Sequence, residues 1–264
     1  MTTPGKTKRR VTWAHIVTFI LATAIAYVLA VLSYLIFPVL GAPGVSALYV
    51  AASIYVPLGV WMGGWGALAG YFSCFFLGLY PSSYTILQSA IWSIADLIEA
   101  LVPALLFRLL RVDPDFTVKR GRAAKLFPIF VSLGFIILIL GIIIQVLWGA
   151  LGEPFTTIYV GSVYTGLGLA AIGVVLGLMV GDAKTWATYI AGVVLTSLLS
   201  GLWGAATLTI LNLPPPLPRE AFWPVFTGWV IGDLIVLTVL STAILTALTP
   251  VFKRTGLYVE GWWA

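Results

Sequence analysis

Eight long stretches of apolar residues run through this chain, and their length constrains the fold more than any other feature. A helix needs about 20 apolar residues to cross a hydrocarbon core of roughly 30 Å. The stretches cover residues 13–37, 44–61, 63–80, 84–110, 126–150, 158–180, 186–211 and 222–249. Of the 264 residues, 61% are hydrophobic and 9% are charged, whereas soluble domains average about 25% charged residues. We therefore predict an all-α, polytopic integral membrane helix bundle with about eight transmembrane helices.

The second and third stretches form one uncharged run from Gly41 to Tyr80. As a continuous helix this run would be roughly 60 Å long, about twice what one crossing requires. Met62-Gly63-Gly64 is the natural place for a break. The sequence therefore predicts two short passes that meet at these residues.

The positive charges predict the orientation of the spans. Thirteen of the 14 Lys and Arg residues fall in segments that an eight-span chain leaves on one side, and only Arg219 falls on the other. Positively charged loops mark the cytoplasmic side, so both termini should be cytoplasmic and the protein should lie in the plasma membrane. The net charge of +5 is then a signal of topology, and we expect no nucleic-acid partner.

The same charges outline the domain organisation. A basic cytoplasmic N-terminus, residues 1–12, precedes a single transmembrane domain, residues 13–250. A basic cytoplasmic loop, residues 111–125, would join two halves of that domain, 13–110 and 126–250. Residues 251–264 form a cytoplasmic tail whose tryptophans suit the membrane interface.

Three acidic residues lie inside the predicted spans. Asp96 is near the middle of the fourth span, Glu99 follows one helical turn later, and Asp233 is in the interior of the eighth. A charge at the centre of a bilayer costs about 2.5–3.5 kcal/mol, so such residues indicate a functional site. One interpretation is a polar cavity for a cation, a proton or an amine-bearing molecule. The alternative is that each carboxyl joins two helices by accepting a hydrogen bond.

Two short patterns recur in the second half of the chain. Trp92-x-x-x-Asp96 returns as Trp229-x-x-x-Asp233, and residues 63–67 return in similar form as 201–205. Four spans plus four spans would form a parallel repeat with a site between the halves. The second pattern opens one span but lies well inside another, so a chance likeness is the other interpretation.

The sequence gives little support for a metal site, a bound cofactor or a hydrolytic activity. His15 is the only histidine and Cys74 the only cysteine, so we expect neither a metal site nor a cofactor. The pairs Gly181-Asp182 and Gly232-Asp233 lack the preceding glycine of the Gly-x-Gly-Asp signature of intramembrane aspartyl proteases. We therefore expect that the protein is not an enzyme.

Part of the chain resembles the MASE-type membrane-associated sensor domain. The resemblance rests on Pro57-Leu-Gly59, Trp65-Gly66, Ala95-Asp96-Leu-Ile-Glu99, Phe107-Arg108-Leu-Leu-Arg111 and Trp229-Val-Ile-Gly232-Asp233. Members of that family have eight spans and are usually fused to a histidine kinase or a diguanylate cyclase. In this chain we expect no such output domain. The resemblance therefore implies a sensor that signals through a separate cytoplasmic protein, docked near Arg120 and Arg122.

A looser likeness connects the chain to the S components of energy-coupling-factor transporters. Ala47-x-x-x-Ala51 is similar to the small-residue motif with which those proteins dock on a coupling subunit, although they usually have about six spans. The chain contains no Walker motif, so the likeness implies separate energising partners.

Our first hypothesis is therefore a membrane protein that binds a small solute, most simply as an S-component-like uptake subunit. The ligand would contact Asp96, Glu99, Trp92, Trp229 and Asp233, and a cytoplasmic partner would dock at Ala47, Ala51, Arg120 and Arg122. The alternatives are the MASE-like sensor and a structural subunit of a membrane complex.

Overall fold

The predicted apolar stretches all contain helices in the structure. The computed structural model describes residues 11–263 except 37, 40–41, 47, 117–122, 149–150, 212 and 214–216. The helices are α1 (Trp13–Ile36), α2 (Ala52–Met62), α3 (Gly64–Leu79), α4 (Ile86–Trp92), α5 (Ile94–Leu109), α6 (Ala123–Trp148), α7 (Phe155–Val180), α8 (Ala183–Thr209), α9 (Phe222–Val236) and α10 (Thr242–Thr255). A short 3₁₀ turn, Arg219–Ala221, leads into α9.

Five helical segments of the described chain are long and apolar enough to cross a membrane. They are Trp13–Ile36, Ile86–Leu109, Phe155–Met179, Ala183–Thr209 and Arg219–Thr255. Large apolar side chains such as Met179, Tyr164 and Ile86 remain exposed on their outer faces, where lipid would cover them. The chain is a multi-pass membrane protein.

The predicted break in the long apolar run is confirmed. Gly63 lies between α2 and α3 and has a φ of 62°, a conformation that favours glycine. The two helices then pack closely, because a Cβ atom on Gly66 would lie 2.0 Å from the backbone nitrogen of Gly59. We call α2 and α3 together the α2–α3 hairpin.

Helix α2 is shorter than the predicted second span. Its 11 residues rise roughly 16 Å, about half of the hydrocarbon thickness. The preceding described residues, 44–46 and 48–51, are not helical. The chain therefore enters α2 part-way along the bundle.

The segment before α2 contains two short paired strands in addition to the helices of the predicted all-α bundle. Strands β1 (Pro38–Val39) and β2 (Ala42–Ser46) pair antiparallel. Prolines and glycines in this segment disfavour a helix. Two hydrogen bonds tie the segment to α1: Ser46 Oγ donates to Ser33 O at 3.0 Å, and Val50 N donates to Ser33 Oγ at 2.9 Å.

Two of the long helical segments contain irregular turns. The first, Ile86–Leu109, is interrupted at Ser93, which separates α4 from α5. The second changes to a π-helix over Leu237–Ser241, between α9 and α10. Such π segments are frequent at functional sites.

Residues 259–263 cover one end of the bundle. Val259 N donates to Trp61 O at 2.8 Å, and Gly64 N donates to Trp262 O at 2.9 Å. Arg108 joins these parts, because its guanidinium donates to Gly59 O and Val60 O at 3.3 Å and to Val259 O at 3.1 Å. We call this side of the molecule the Arg108 end. The residues that the sequence assigned to an interfacial tail thus include the last turn of α10 and a strap over the α2–α3 hairpin.

Candidate functional site

Four of the five predicted ligand-binding residues line one cavity inside the bundle. Trp92, Asp96, Trp229 and Asp233 all lie in its wall. The two indole rings touch edge to face, with centroids 5.4 Å apart and planes inclined by 67°. The two Trp-x-x-x-Asp patterns, 137 positions apart in the sequence, therefore meet in space.

Glycines on the neighbouring helices let these side chains approach. A Cβ atom on Gly70 of α3 would lie 2.9 Å from the backbone oxygen of Asp96. A Cβ atom on Gly204 of α8 would lie 2.4 Å from the ring of Trp229. Small residues at such contacts allow close packing of membrane helices, and here they hold α5 and α9 around the cavity.

Asp96 is the least satisfied of the three acids. Only 1% of its surface is exposed, and its Oδ2 atom receives no hydrogen bond from any described residue. The hydroxyl of Tyr49 lies near this carboxyl, also buried and outside hydrogen-bonding geometry. Both side chains line the cavity, so two unmet polar groups face the same space.

Glu99 lies behind the cavity wall and is held by its neighbours. The hydroxyl of Tyr55 on α2 donates to Oε2, and the indole nitrogen of Trp229 lies 3.3 Å from Oε1. The side chain is fully buried. Glu99 thus joins α5 to α2 and α9, and it is not among the residues that line the cavity.

Asp233 faces the cavity but also binds a neighbouring helix. The hydroxyl of Ser200 on α8 donates to its Oδ2 atom at 3.0 Å. Its carboxyl also lies near that of Glu99. Asp233 therefore joins α9 to α8 and lines the cavity at the same time.

The cavity is small in this conformation. The space open to the centre of a water-sized molecule is about 30 Å³, enough for roughly two waters. Pockets for drug-sized ligands are about ten times larger or more. The closed site therefore fits a very small solute.

Sequence reasoning missed several residues of the cavity wall. These are Tyr34, Ser46, Tyr49, Cys74 and Leu77. They come from α1, from β2, from the segment before α2 and from α3, and no local pattern marks them. A tyrosine hydroxyl in an apolar run was the only signal that could have pointed to Tyr49.

Of the four predicted docking residues, only Ala51 lies within the described residues. Ala51 is fully buried at the start of α2, so its side chain offers no area to a partner in this conformation. Ala47, Arg120 and Arg122 lie outside the described residues.

No group of three or more His, Cys, Asp or Glu side chains in the described parts of the chain has a metal-binding arrangement. No protein-family model matches this chain, and no curated protein or solved structure is significantly similar to it.

Proposed function

We propose that the protein is an integral membrane solute-binding protein for a small organic cation, most simply an amine, and that it takes part in the uptake of that solute. The observation that carries this proposal is the unpaired Oδ2 atom of Asp96, buried in the wall of a cavity. An unpaired buried acceptor costs free energy, and a native protein retains one where a water, an ion or a ligand binds.

The wall of the cavity suits an ammonium group. Asp96 and Asp233 would accept N–H hydrogen bonds, which are strong when both partners are charged. Trp92 and Trp229 would add cation–π attraction to the positively charged group. Tyr49 would accept a further hydrogen bond through its hydroxyl oxygen. Two carboxyls with an aromatic wall favour an organic cation over a metal ion, which would need more oxygen ligands around one point.

The size of the cavity limits the solute. Room for about two waters suits ammonium, methylammonium or a similar group. A larger amine would need the wall to open, and Ser46 and Tyr49 are the part of the wall that does not belong to a helix.

The proposed topology follows from the positive charges. Eight crossings with both termini in the cytoplasm would place the Arg108 end on the cytoplasmic side of the plasma membrane. The solute would then enter from the side of Arg219. Energy for uptake would come from a separate partner or from an ion gradient.

A structural role is the second candidate. Its support is that two of the acids already join helices: Glu99 accepts from Tyr55 and Trp229, and Asp233 accepts from Ser200. Under this proposal all three acids are protonated and hold the bundle together, and no cation binds between them.

The experiment that tests the proposal uses dicyclohexylcarbodiimide, an apolar reagent that modifies protonated carboxyls in apolar surroundings. The purified protein is treated in mild detergent, and modification of Asp96, Glu99 and Asp233 is quantified by mass spectrometry. Methylammonium should slow the modification of Asp96 and Asp233 in a concentration-dependent way, because a bound cation displaces the proton and blocks access.

The control is Asp113→Asn, which removes an exposed carboxyl paired with Lys253 at the Arg108 end. It should leave the protection unchanged, whereas Asp96→Asn should remove the protection at Asp233. If neither methylammonium nor guanidinium protected the wild-type protein, the proposal would be wrong and the structural role would be preferred. Protection by sodium alone would overturn the assignment to organic cations.

A further inference from the structure

A second buried polar cluster lies along the last helical segment, beyond the acid cavity. Its members are Tyr189 of α8, Ser241 at the end of the π-helix, and Thr242 at the start of α10, and all three are buried. Tyr189 OH donates to the backbone oxygen of Leu237 at 2.5 Å. Leu237 follows Asp233 by one helical turn, about 6 Å along the axis. The cluster therefore begins next to the acid cavity, on its Arg108 side.

Two hydroxyls of this cluster have unmet hydrogen-bonding capacity. Ser241 Oγ and Thr242 Oγ1 are fully buried, and neither has a hydrogen-bond partner among the described residues. Both lie near the Tyr189 hydroxyl, outside hydrogen-bonding geometry. In helices of ordinary geometry, Ser and Thr hydroxyls bond to the carbonyl four residues earlier, as Thr246 does to Thr242 O at 2.7 Å. These two do not, so they are available to a water or a proton.

The polar line continues towards the Arg108 end. Thr242, Thr246 and Thr249 lie at positions i, i+4 and i+7, on one buried face of α10. Thr249 Oγ1 receives a hydrogen bond from Trp61 Nε1 at 2.8 Å and donates to Pro114 O at 3.4 Å. Pro114 belongs to the connection after α5. A row of buried hydroxyls thus leads from the acid cavity to the loops at one end of the bundle.

We propose that the cluster of Tyr189, Ser241 and Thr242 passes protons between the acid cavity and the Arg108 end, so that binding of the amine is coupled to proton movement. The inference rests on the proposed function, in which Asp96 and Asp233 carry a proton before the cation binds and lose it when the cation binds. The carboxyl gives that proton to a water or hydroxyl oxygen. That group releases its own proton to the next oxygen, so each hydroxyl gains one proton, loses one and keeps no net charge, and the last hydroxyl gives its proton to solvent water at the Arg108 end.

The groups around this row of buried hydroxyls are suited to proton transfer. Asp233 and Glu99 lie at one end, and the ion pair of Lys253 with Asp113 lies at the other. Between them, the side chains of Ser241 and Thr242 lie near the Tyr189 hydroxyl. Hydroxyls and waters can accept and donate at once, which charged or apolar side chains at these positions could not do.

The experiment compares Thr242→Val and Ser241→Ala with Thr238→Val. The Thr238 hydroxyl donates to Leu234 O of its own helix, so Thr238→Val is an isosteric control one turn away. Each protein is reconstituted in vesicles with a pH-sensitive dye inside, and methylammonium is added outside. We expect the two variants to slow methylammonium-driven proton movement about tenfold, the effect of one lost hydrogen bond on a barrier. The control should match the wild type.

Carbodiimide protection is measured on the same proteins and separates the two proposals. Retained protection with slowed proton movement supports the relay. Retained protection with unchanged proton movement in both Thr242→Val and Ser241→Ala overturns the relay and leaves the amine site standing. If methylammonium does not protect the wild-type protein, the amine site itself is overturned.

Discussion

Trp92 and Trp229 touch edge to face at the wall of the acid cavity, with their ring centroids 5.4 Å apart. Each indole precedes a cavity aspartate by one helical turn, on α4–α5 in one case and on α9 in the other. Their contact closes the cavity between two segments that are far apart in the sequence. The site therefore exists only when the α4–α5 segment and α9 have packed together.

The hydrogen bond between Tyr55 and Glu99 makes a testable contribution to stability. Tyr55→Phe should lower the free energy of unfolding by about 1–2 kcal/mol, because a fully buried carboxyl loses a donor. The measurement is reversible unfolding in mixed micelles. Tyr164→Phe, at an exposed position of α7, should have no effect. In a double-mutant cycle with Glu99→Gln, strictly additive losses would show that the two side chains do not interact.

The α2–α3 hairpin should tolerate no side chain at Gly66. A Cβ atom there would meet the backbone of Leu58 and Gly59 at 2.0–2.4 Å. Gly66→Ala should therefore destabilise the protein by about 3 kcal/mol or more, since backbone cannot move aside as a side chain can. Gly168→Ala is the matched control, because nothing lies within 4 Å of its Cβ position. Equal melting temperatures for the two variants would contradict the packing of the hairpin.

Cys74 is a built-in reporter of the cavity, because it is the only cysteine in the chain and lines the cavity wall. Only 1% of its surface is exposed, so N-ethylmaleimide should react much more slowly with the folded protein than with the unfolded chain. Methylammonium should slow the reaction further, and Leu77→Ala, which enlarges the cavity, should speed it. The readout is the mass of the labelled peptide over time. A rate insensitive to both changes would contradict a cavity at this position.

Asp182 should make the start of α8 sensitive to acid. Its Oδ2 atom accepts hydrogen bonds from Thr185 N at 2.8 Å and from Thr185 Oγ1 at 2.9 Å. These bonds hold the pKa of the Asp182 carboxyl below its ordinary value of 3.8. The cap is therefore fully present above the pKa of the unfolded chain and is lost as the pH falls through the lower pKa of the folded state.

Hydrogen exchange of the first turn of α8 measures this cap. At neutral pH, Asp182→Ala should speed exchange at Thr185 and Trp186, whereas Asp182→Asn should keep most of the protection through its amide oxygen. As the pH falls through the pKa of the folded state, which lies below 3.8, the carboxyl should protonate and the wild-type protein should approach the Asn variant. Unchanged protection in the Ala variant would contradict the capping interaction.

Much of the fold could be predicted from hydropathy and from glycine. Each of the eight apolar stretches contains a helix, and the break at Gly63 lies where Met62-Gly63-Gly64 predicts it. Hydropathy could not show that α2 is only 11 residues long, because its preceding residues are apolar whether or not they are helical. It also gave no signal for β1 and β2, because their pairing depends on contacts between two short segments and not on hydropathy.

The candidate site was predictable only in part, for a related reason. The rarity of acids in apolar spans marked Asp96, Glu99 and Asp233, and the recurring tryptophans marked the wall beside them. Their partners Tyr55 and Ser200 are one tyrosine and one serine among many. Only the packing of α2 and α8 against α5 and α9 brings them to the carboxyls. The docking hypothesis for Arg120 and Arg122 stays a prediction.

The strap over the α2–α3 hairpin also sets an order of events during biosynthesis. Trp65 on α3 donates to the backbone oxygen of Trp263, which is 198 positions later in the chain. At translation rates of about 5–20 residues per second, these two tryptophans leave the ribosome on the order of 10–40 s apart. During that interval the strap has not yet been synthesised, so the Arg108 end of the α2–α3 hairpin is not covered by it. The final closure of the bundle therefore takes place only after its last helix has been inserted.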